Sequence, residues 1–273
     1  MLQRNLSDRS AEQQKQVGLP LVYFSIFGMM NLILRQLHRF YYLFILLLLS
    51  LMYYPFMYLA ASRVRWYGYL NSLRISHSRV SSFLAGIHYN FVFEEPISPG
   101  QTYIYCANHS SNLDIMIMCI LAKKNFHFMG KEELLNHPIL KLFFRSIDIP
   151  VNRDSRISAF RAFKKAGENL KAGRSLVIFP EGRISDDQYP PRLIEFKNGP
   201  FRLAIENNIP IVAVTISNAW KLLWDDGKKY GSRPGRCDIY VHKPIFTQDL
   251  DVAEDAFLKE KVYQLIDSKL QHR

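Results

Sequence analysis

The sequence predicts an α/β fold, a central, mostly parallel (mixed) sheet flanked by helices and preceded by an N-terminal hydrophobic helical hairpin. Three observations carry this. From residue 66 onward short β-type runs alternate with helical ones, the order that parallel strands with helical crossovers require. Residues 40–62 contain no charged side chain. A chain of 273 residues, 48% hydrophobic, is also large and apolar enough to build a real core, which excludes disorder as its main state. The chain divides into two units: residues 1–65, a membrane-associated helical hairpin, and residues 66–273, the α/β domain.

The hairpin comes first. Its longer arm contains the almost wholly aliphatic run Leu43 to Leu51, and a helix over residues 40–62 would reach about 35 Å. The shorter arm, residues 18–34, is also uncharged, and a polar stretch from Arg35 to Arg39 separates the two and reads as the turn. A cleaved signal peptide does not fit, because the apolar run begins some forty residues in, behind a leader of mixed charge. Arg35 and Arg39 precede the run while Arg63 and Arg65 follow it, so the positive-inside rule gives a single span no orientation. A hairpin lying in one leaflet and bent at Pro55 would let all four arginines reach one headgroup layer. Tyr41, Tyr42, Tyr53, Tyr54 and Tyr58 would then sit at interface depth. A true crossing fits the lengths as well.

Seven strands are expected next, at residues 88–94, 102–107, 126–129, 146–151, 175–179, 209–216 and 238–242. Between them residues 156–171 carry Ile157, Phe160, Phe163, Ala166 and Leu170 at helical spacing opposite Arg161, Lys164, Lys165, Glu168 and Lys171, with Gly173 as the stop signal. A final helix is expected over residues 252–270. Thirty-five basic against 24 acidic residues leave a net charge of +11, so the partner surface is anionic: a phospholipid face, an acidic carrier protein or nucleic acid. Nucleic acid is the poorest of these, since no basic stripe with interleaved aromatics is present. Cys106, Cys119 and Cys237 are far apart and form no C-x-x-C pair, which excludes a disulfide framework and a zinc site and suits a reducing compartment.

Chemistry gathers where strands end, which is where open α/β sheets place their sites. Asn108, His109 and Asp114 come directly after the strand at 102–107. On one regular helix residues five apart lie about 140° apart, so His109 and Asp114 could meet only across a strand-to-helix corner. There the carboxylate would hold one ring nitrogen and leave the other as a base for a hydroxyl. Ser111 to Asp114 also reads as a capping box, in which Asp114 would only bond backbone N–H groups at a helix start. Arg153, after Ile149 to Asn152, offers a guanidinium fork suited to phosphate or a solvated surface charge. Phe179 to Gly182 ends another strand with Glu181 in a turn where Gly182 permits close approach to the backbone. Pro210 opens a buried strand.

Together and in this order these blocks resemble the glycerolipid acyltransferase family, the bacterial 1-acyl-glycerol-3-phosphate acyltransferases in particular, over residues 103–214. The family's H-x-x-x-x-D signature falls on His109 and Asp114, its second-block arginine on Arg153, its F-P-E-G on Phe179 to Gly182, and its fourth-block proline on Pro210. The stretches 130–134, with Lys131, and 196–199 also look like ones that accompany these blocks. Two departures bear on the acceptor pocket. Arg183 comes directly after Gly182 where the family has Thr-Arg, a one-residue shift that turns an extended side chain to the other face. Ile147 stands where a glycine often opens the second block.

The resemblance implies acyl transfer from an acyl carrier protein or coenzyme A thioester to the free hydroxyl of lysophosphatidic acid, giving phosphatidic acid at the cytoplasmic face of the inner membrane. His109 and Asp114 are the catalytic pair it implies; Asn108, Lys131, Arg153, Glu181 and Gly182 are the substrate-binding residues. No metal and no cofactor is implied, the thioester being a co-substrate, and the partners are the bilayer, the lysolipid and the acyl donor, with no nucleic acid. Ser110 and Ser111 read as helix-start residues rather than nucleophiles, and backbone N–H groups at that helix start are expected to stabilise the oxyanion.

Overall fold

The structure, a computed structural model, describes residues 4–123, 125–184 and 188–270, with side chains described from residue 28 onward. A seven-stranded sheet runs in the order β1-β7-β6-β2-β5-β3-β4, where β1 is Ile87–Phe93, β2 Ile104–Ala107, β3 Phe126–Lys131, β4 Ile149–Val151, β5 Ser175–Ile178, β6 Ile211–Ile216 and β7 Gly235–Val241. Every neighbouring pair is parallel except β6 with β7. All seven expected strands are present and the α/β class holds.

The central strands β2, β5 and β6 are buried at every position, which is why they read as unbroken apolar runs rather than as an alternation. The period of two still sorts their side chains. Tyr105, Ala107, Val177, Val212 and Val214 face one layer of packing with helix α3 (Leu113–Ala122). Ile104, Cys106, Leu176, Ile178, Ile211 and Ala213 face the other, with α5 (Arg156–Lys171), α6 (Gly199–Glu206) and α8 (Asp255–Leu270). The 156–171 helix lies where its periodicity places it, capped by the Ser155 side chain on the Ser158 N–H. Cys106, Cys119 and Cys237 are buried and free.

The strand expected at 146–151 is shorter, beginning at Ile149. Asp148, just before it, is buried in an ion pair instead of extending the strand. It meets buried Arg74 at 2.9 Å and accepts the Phe128 N–H, tying helix α2 (Tyr67–Leu84) to β3. The Arg74 guanidinium also lies over the rings of Phe126, Phe128 and Phe143. Helix α4 (Leu140–Phe144) precedes this corner, and a short α7 (Ala219–Leu222) comes after β6.

The N-terminal hairpin turns in a different place from the one expected. Helix α1 runs unbroken from Arg4 to Ala61, so residues 35–39 and Pro55 lie inside it; the side chains of residues 18–27 lie outside the described residues. The turn comes at residues 62–66 and the second arm is α2, with Tyr53 Oη against Ser76 Oγ at 2.8 Å and the Tyr41 O–H donating to the Leu84 carbonyl. Arg35 to Arg39 contains no Gly or Pro to break a helix. Its polar groups dock α1 on the loop before β7 instead. Arg39 Nε donates to the Asp226 carbonyl, Gln36 Nε2 to the Lys228 carbonyl, and the Ser232 N–H to the Arg35 carbonyl, with His38 Nδ1 against Ser232 Oγ. Gly231, at φ +68°, lies so close to the Arg35 backbone that a Cβ there would come within 2.5 Å of it.

Among the described residues one helix, Gly28–Ala61, is long and apolar enough to cross a membrane. Tyr42, Ile45, Leu49, Met57 and Ala60 pack inward, while Phe40, Phe44, Leu47, Leu48, Leu51, Phe56 and Leu59 form an exposed apolar face. The tyrosines divide accordingly: Tyr41 and Tyr58 stay exposed, but Tyr42 is buried with its O–H toward Met116 Sδ, and Tyr53 is held by α2. Helical periodicity turns residues 42 and 53 toward α2 and α3, which overrides the interface role expected for them.

His127 on β3 is fully buried, and burial, reinforced by Arg174 nearby, pushes its pKa down to about 3. A folded pKa below the ordinary 6.5 means the unfolded chain binds the extra proton first. His127 therefore adds stability that is complete above pH 6.5 and shrinks by about 1.4 kcal/mol per pH unit as pH falls toward 3. Urea unfolding at several pH values should show this acid slope in the wild type and a flatter one in His127→Leu.

Candidate active site

Because β2, β5, β3 and β4 are parallel neighbours, the residues just past their carboxyl ends gather along one edge. His109 lies two residues past β2, Phe179 to Gly182 come directly after β5, Lys131 ends β3 and Arg153 lies just beyond β4. Pro210 immediately precedes β6, at the level of Ile104, so it belongs to the opposite edge and its carbonyl accepts the Ile104 N–H.

His109 and Asp114 meet at the strand-to-helix corner, with the ring N–H at Nδ1 donating to Asp114 Oδ2 at 2.9 Å. That oxygen also accepts the backbone N–H groups of Ser110 at 2.7 Å and Ser111 at 2.9 Å. Asp114 thus performs both readings left open by the sequence, ring partner and helix-start acceptor. It is fully buried, a carboxylate held by three donors rather than by solvent. Since a carboxylate only accepts, the neutral imidazole in this contact carries its proton on Nδ1 and its lone pair on Nε2. The imidazole stacks on Phe179, centroids 4.0 Å apart and planes 15° from parallel, which limits its rotation.

Glu181 is buried beside this pair. Its Oε1 accepts the His109 N–H at 2.6 Å and its Oε2 the Ile194 N–H at 3.1 Å, so it fastens the histidine loop to the segment beyond the F-P-E-G turn. Burial pushes its pKa up to about 7; the two backbone donors pull it down and Asp114 adds to the rise. A folded pKa above 4.5 favours folding fully below pH 4.5, and this contribution is lost as pH rises through 7. Glu181→Gln should flatten the stability profile between pH 4.5 and 7, read by thermal unfolding across that range.

Asn108 spends its amide on the end of β6, accepting the Ile216 N–H at 2.7 Å and donating to the Ile216 carbonyl at 3.0 Å. It holds β2 and β6 at the fixed spacing on which the corner stands. Gly182, at φ +78°, occupies a conformation other residues resist, and the Arg153 guanidinium lies against it. Arg153 is exposed, though partial desolvation of its guanidinium lowers its pKa, opposed by Glu133; among the described residues it has no hydrogen-bonded partner. Lys131 is exposed, one strand over, in register with Val151. Arg183 is exposed, and Ser185 lies outside the described residues; Ile147 is buried against Met57 and Phe143.

One expectation fails on the hydrogen bonds. The N–H groups at the start of α3 are all engaged: Ser110 and Ser111 on Asp114, Asn112 on the Asp225 carbonyl, Leu113 on Ser111 Oγ, Asp114 on the Ser111 carbonyl. The buried carboxylate and the 225 loop have already satisfied the donors that would face an oxyanion. Ser111 is the helix-start residue expected of it. The Ser110 hydroxyl is buried without a partner among the described residues.

A narrow cleft opens beside His109, bounded by Ser110, Glu181, Arg192, Leu193, Trp220 and Leu270. Sequence reasoning missed Arg192 and Trp220, which lie in no recognisable block and reach the cleft only through folding. The stretch before Ile194 is held by the Glu181 contact above, and the Tyr263 O–H donates to the Leu193 carbonyl.

Known proteins are similar to the chain over the region that carries this site. The model of the Acyltransferase family matches residues 88–217. A 1-acyl-sn-glycerol-3-phosphate acyltransferase of Saccharomyces cerevisiae is 33% identical over 195 residues, 69% of this chain and 62% of the relative. A chloroplastic 1-acyl-sn-glycerol-3-phosphate acyltransferase of Arabidopsis thaliana is 31% identical over 150 residues, 55% of this chain and 41% of the relative. The chain thus spans less than two thirds of the length of these relatives. The crystal structure of the 1-acyl-sn-glycerophosphate acyltransferase PlsC from Thermotoga maritima shares the fold, with a TM-score of 0.71 at 22% identity over 90% of this chain and 96% of that one. Sheet, corner and sequence similarity converge on one stretch: residues 88–217 match the Acyltransferase family model, and the chain is similar there to 1-acyl-sn-glycerol-3-phosphate acyltransferases.

Proposed function

We propose that this protein transfers an acyl group from an acyl carrier protein or coenzyme A thioester to the free hydroxyl of lysophosphatidic acid, making phosphatidic acid. The observation that carries the reading is the His109–Asp114 pair, set at the carboxyl edge of the sheet beside a cleft. The names of the yeast and plant relatives support the same acceptor.

In this mechanism Nε2 takes the proton of the acceptor hydroxyl as its oxygen attacks the thioester carbon. The C–S bond breaks and the imidazolium returns its proton to the departing thiolate. Asp114 stabilises the imidazolium between these events, Phe179 and Glu181 hold the ring and loop in place, and no covalent enzyme intermediate is needed. Lys131, at the end of β3, and Arg153, against Gly182, supply positive charge at the strand ends. Residues 1–65 act as the membrane segment and 66–273 as the catalytic domain, on the cytoplasmic face of the inner membrane, where the exposed apolar face of α1 meets lipid and the cleft meets the lysolipid.

The test is acyl transfer by purified, detergent-solubilised protein from each thioester to lysophosphatidic acid. Turnover with release of free thiol supports the reading; a folded protein that leaves this acceptor untouched while acylating a lysophospholipid with an esterified headgroup overturns the acceptor.

A further inference from the structure

Helix α5 leaves two large apolar side chains in water. The expected stripe groups Ile157 and Phe160 with Ala166 and Leu170, but Ala162, Ala166 and Leu170 pack on the sheet while Ile157 is 66% and Phe160 70% exposed. The phase of the helix explains the difference, since Ile157 lies about 140° around the axis from Leu170. Basic side chains surround the pair. Ile157, Phe160, Arg161 and Lys164 stand three and four residues apart and share one face, with Arg156 one turn before Phe160. Arg156, Arg161 and Lys164 are all exposed, and none has an ion-pair partner among the described residues. The acidic residues of this stretch are Asp154, before the helix, and Glu168, which is paired with Lys165.

The patch stands at the catalytic edge, on the side of the sheet away from the membrane helix. Helix α5 starts just past the carboxyl end of β4, so its first turns are the part nearest the edge that carries His109. It packs on the Ile104 and Leu176 side of the sheet, whereas α1 joins the opposite layer, with its Tyr42 O–H toward Met116 of α3. The exposed apolar face of α1 looks outward from that layer. A bilayer lying along it leaves α5 on the aqueous side, so the partner of α5 is soluble. A second copy of this chain, itself at +11, would be repelled.

We propose that the Ile157–Phe160 face of α5 is the docking surface for an acidic carrier protein that brings the acyl thioester to His109, an inference that rests on the acyl-transfer reading above and makes the carrier the donor. An apolar centre with cations around it fits such a partner: covering the two side chains holds the complex, and the charges speed and orient the encounter. Coenzyme A offers phosphates to the cations but no protein surface to cover Phe160 and Ile157 together.

The experiment compares wild type, Phe160→Ala and the pair Arg161→Glu with Lys164→Glu, all at exposed positions where the fold should persist. Three quantities are read: KM for an acyl carrier protein thioester, KM for the coenzyme A thioester of the same acyl chain, and sedimentation with anionic phospholipid vesicles. The carrier KM is expected to rise about 5- to 50-fold in both variants. Coenzyme A kinetics and vesicle binding should stay within about 2-fold, the scatter of surface changes that touch nothing essential. Added salt should raise the carrier KM of the wild type and have less effect on that of the charge-reversed pair. An equal rise with both donors would overturn the proposal, as would unchanged kinetics with both. Lost vesicle binding with an unchanged carrier KM would make the face a lipid contact instead. A wild type that acylates lysophosphatidic acid from coenzyme A alone removes the carrier while the acyl-transfer reading stands; a wild type inactive with either donor defeats that reading and this proposal with it.

Discussion

Replacing His109 by alanine is expected to lower kcat for lysophosphatidic acid by about 10²- to 10⁴-fold while leaving the acceptor KM within a few-fold. In the proposed mechanism the histidine meets the substrate through Nε2 only, and the base acts in the transition state rather than in ground-state binding. The ring is packed on Phe179 and one-seventh exposed, with its backbone N–H on Glu181, a bond that alanine retains. The variant should therefore fold. Unchanged turnover would show a membrane-anchored module that binds lipid or carrier without chemistry, and the His109–Asp114 contact would be a helix-start device alone.

Asp114 is expected to separate its two roles under two substitutions. Asp114→Ala strips the acceptor from the Ser110 and Ser111 N–H groups inside the protein, and at about 1–3 kcal/mol for each buried donor left unmade should destabilise by about 2–6 kcal/mol. Asp114→Asn keeps an oxygen for those donors and the shape of the side chain. Its thermal midpoint should stay close to wild type. Catalysis should not survive as well: a neutral amide no longer stabilises an imidazolium, and kcat should fall by at least about 10²-fold. Thermal unfolding and initial rates on the same preparations check both halves. An asparagine variant with full activity would leave Asp114 as a cap and nothing more.

Much of the molecule was legible because local physics wrote it. The seven strands announced themselves as β-rich runs bounded by turns, and the 156–171 helix by its amphipathic spacing and the serine before it. Spacing allowed His109 and Asp114 to meet, since residues five apart cannot share a helix face but can close a corner, while the capping reading of Asp114 stayed open until folding brought the ring to the carboxylate. A polar stretch inside an apolar one misled. Arg35 to Arg39 looks the same in sequence whether the chain turns there or a helix docks there, and only the 226–232 loop, far along the chain, decides between them.

The same limit governs the site. Composition, strand order and the residue types that end β2, β3, β4 and β5 are properties of the chain as written, and parallel pairing then obliges those ends to share one edge. The α/β class, the His109–Asp114 corner and the edge on which it stands are therefore set locally. Folding in three dimensions added that the helix-start N–H groups are already taken, that Asn108 clamps β6, and that Arg192 and Trp220 face the cleft. Those contacts join residues separated along the chain or reached through loops, and their partners are chosen by packing rather than by any local preference.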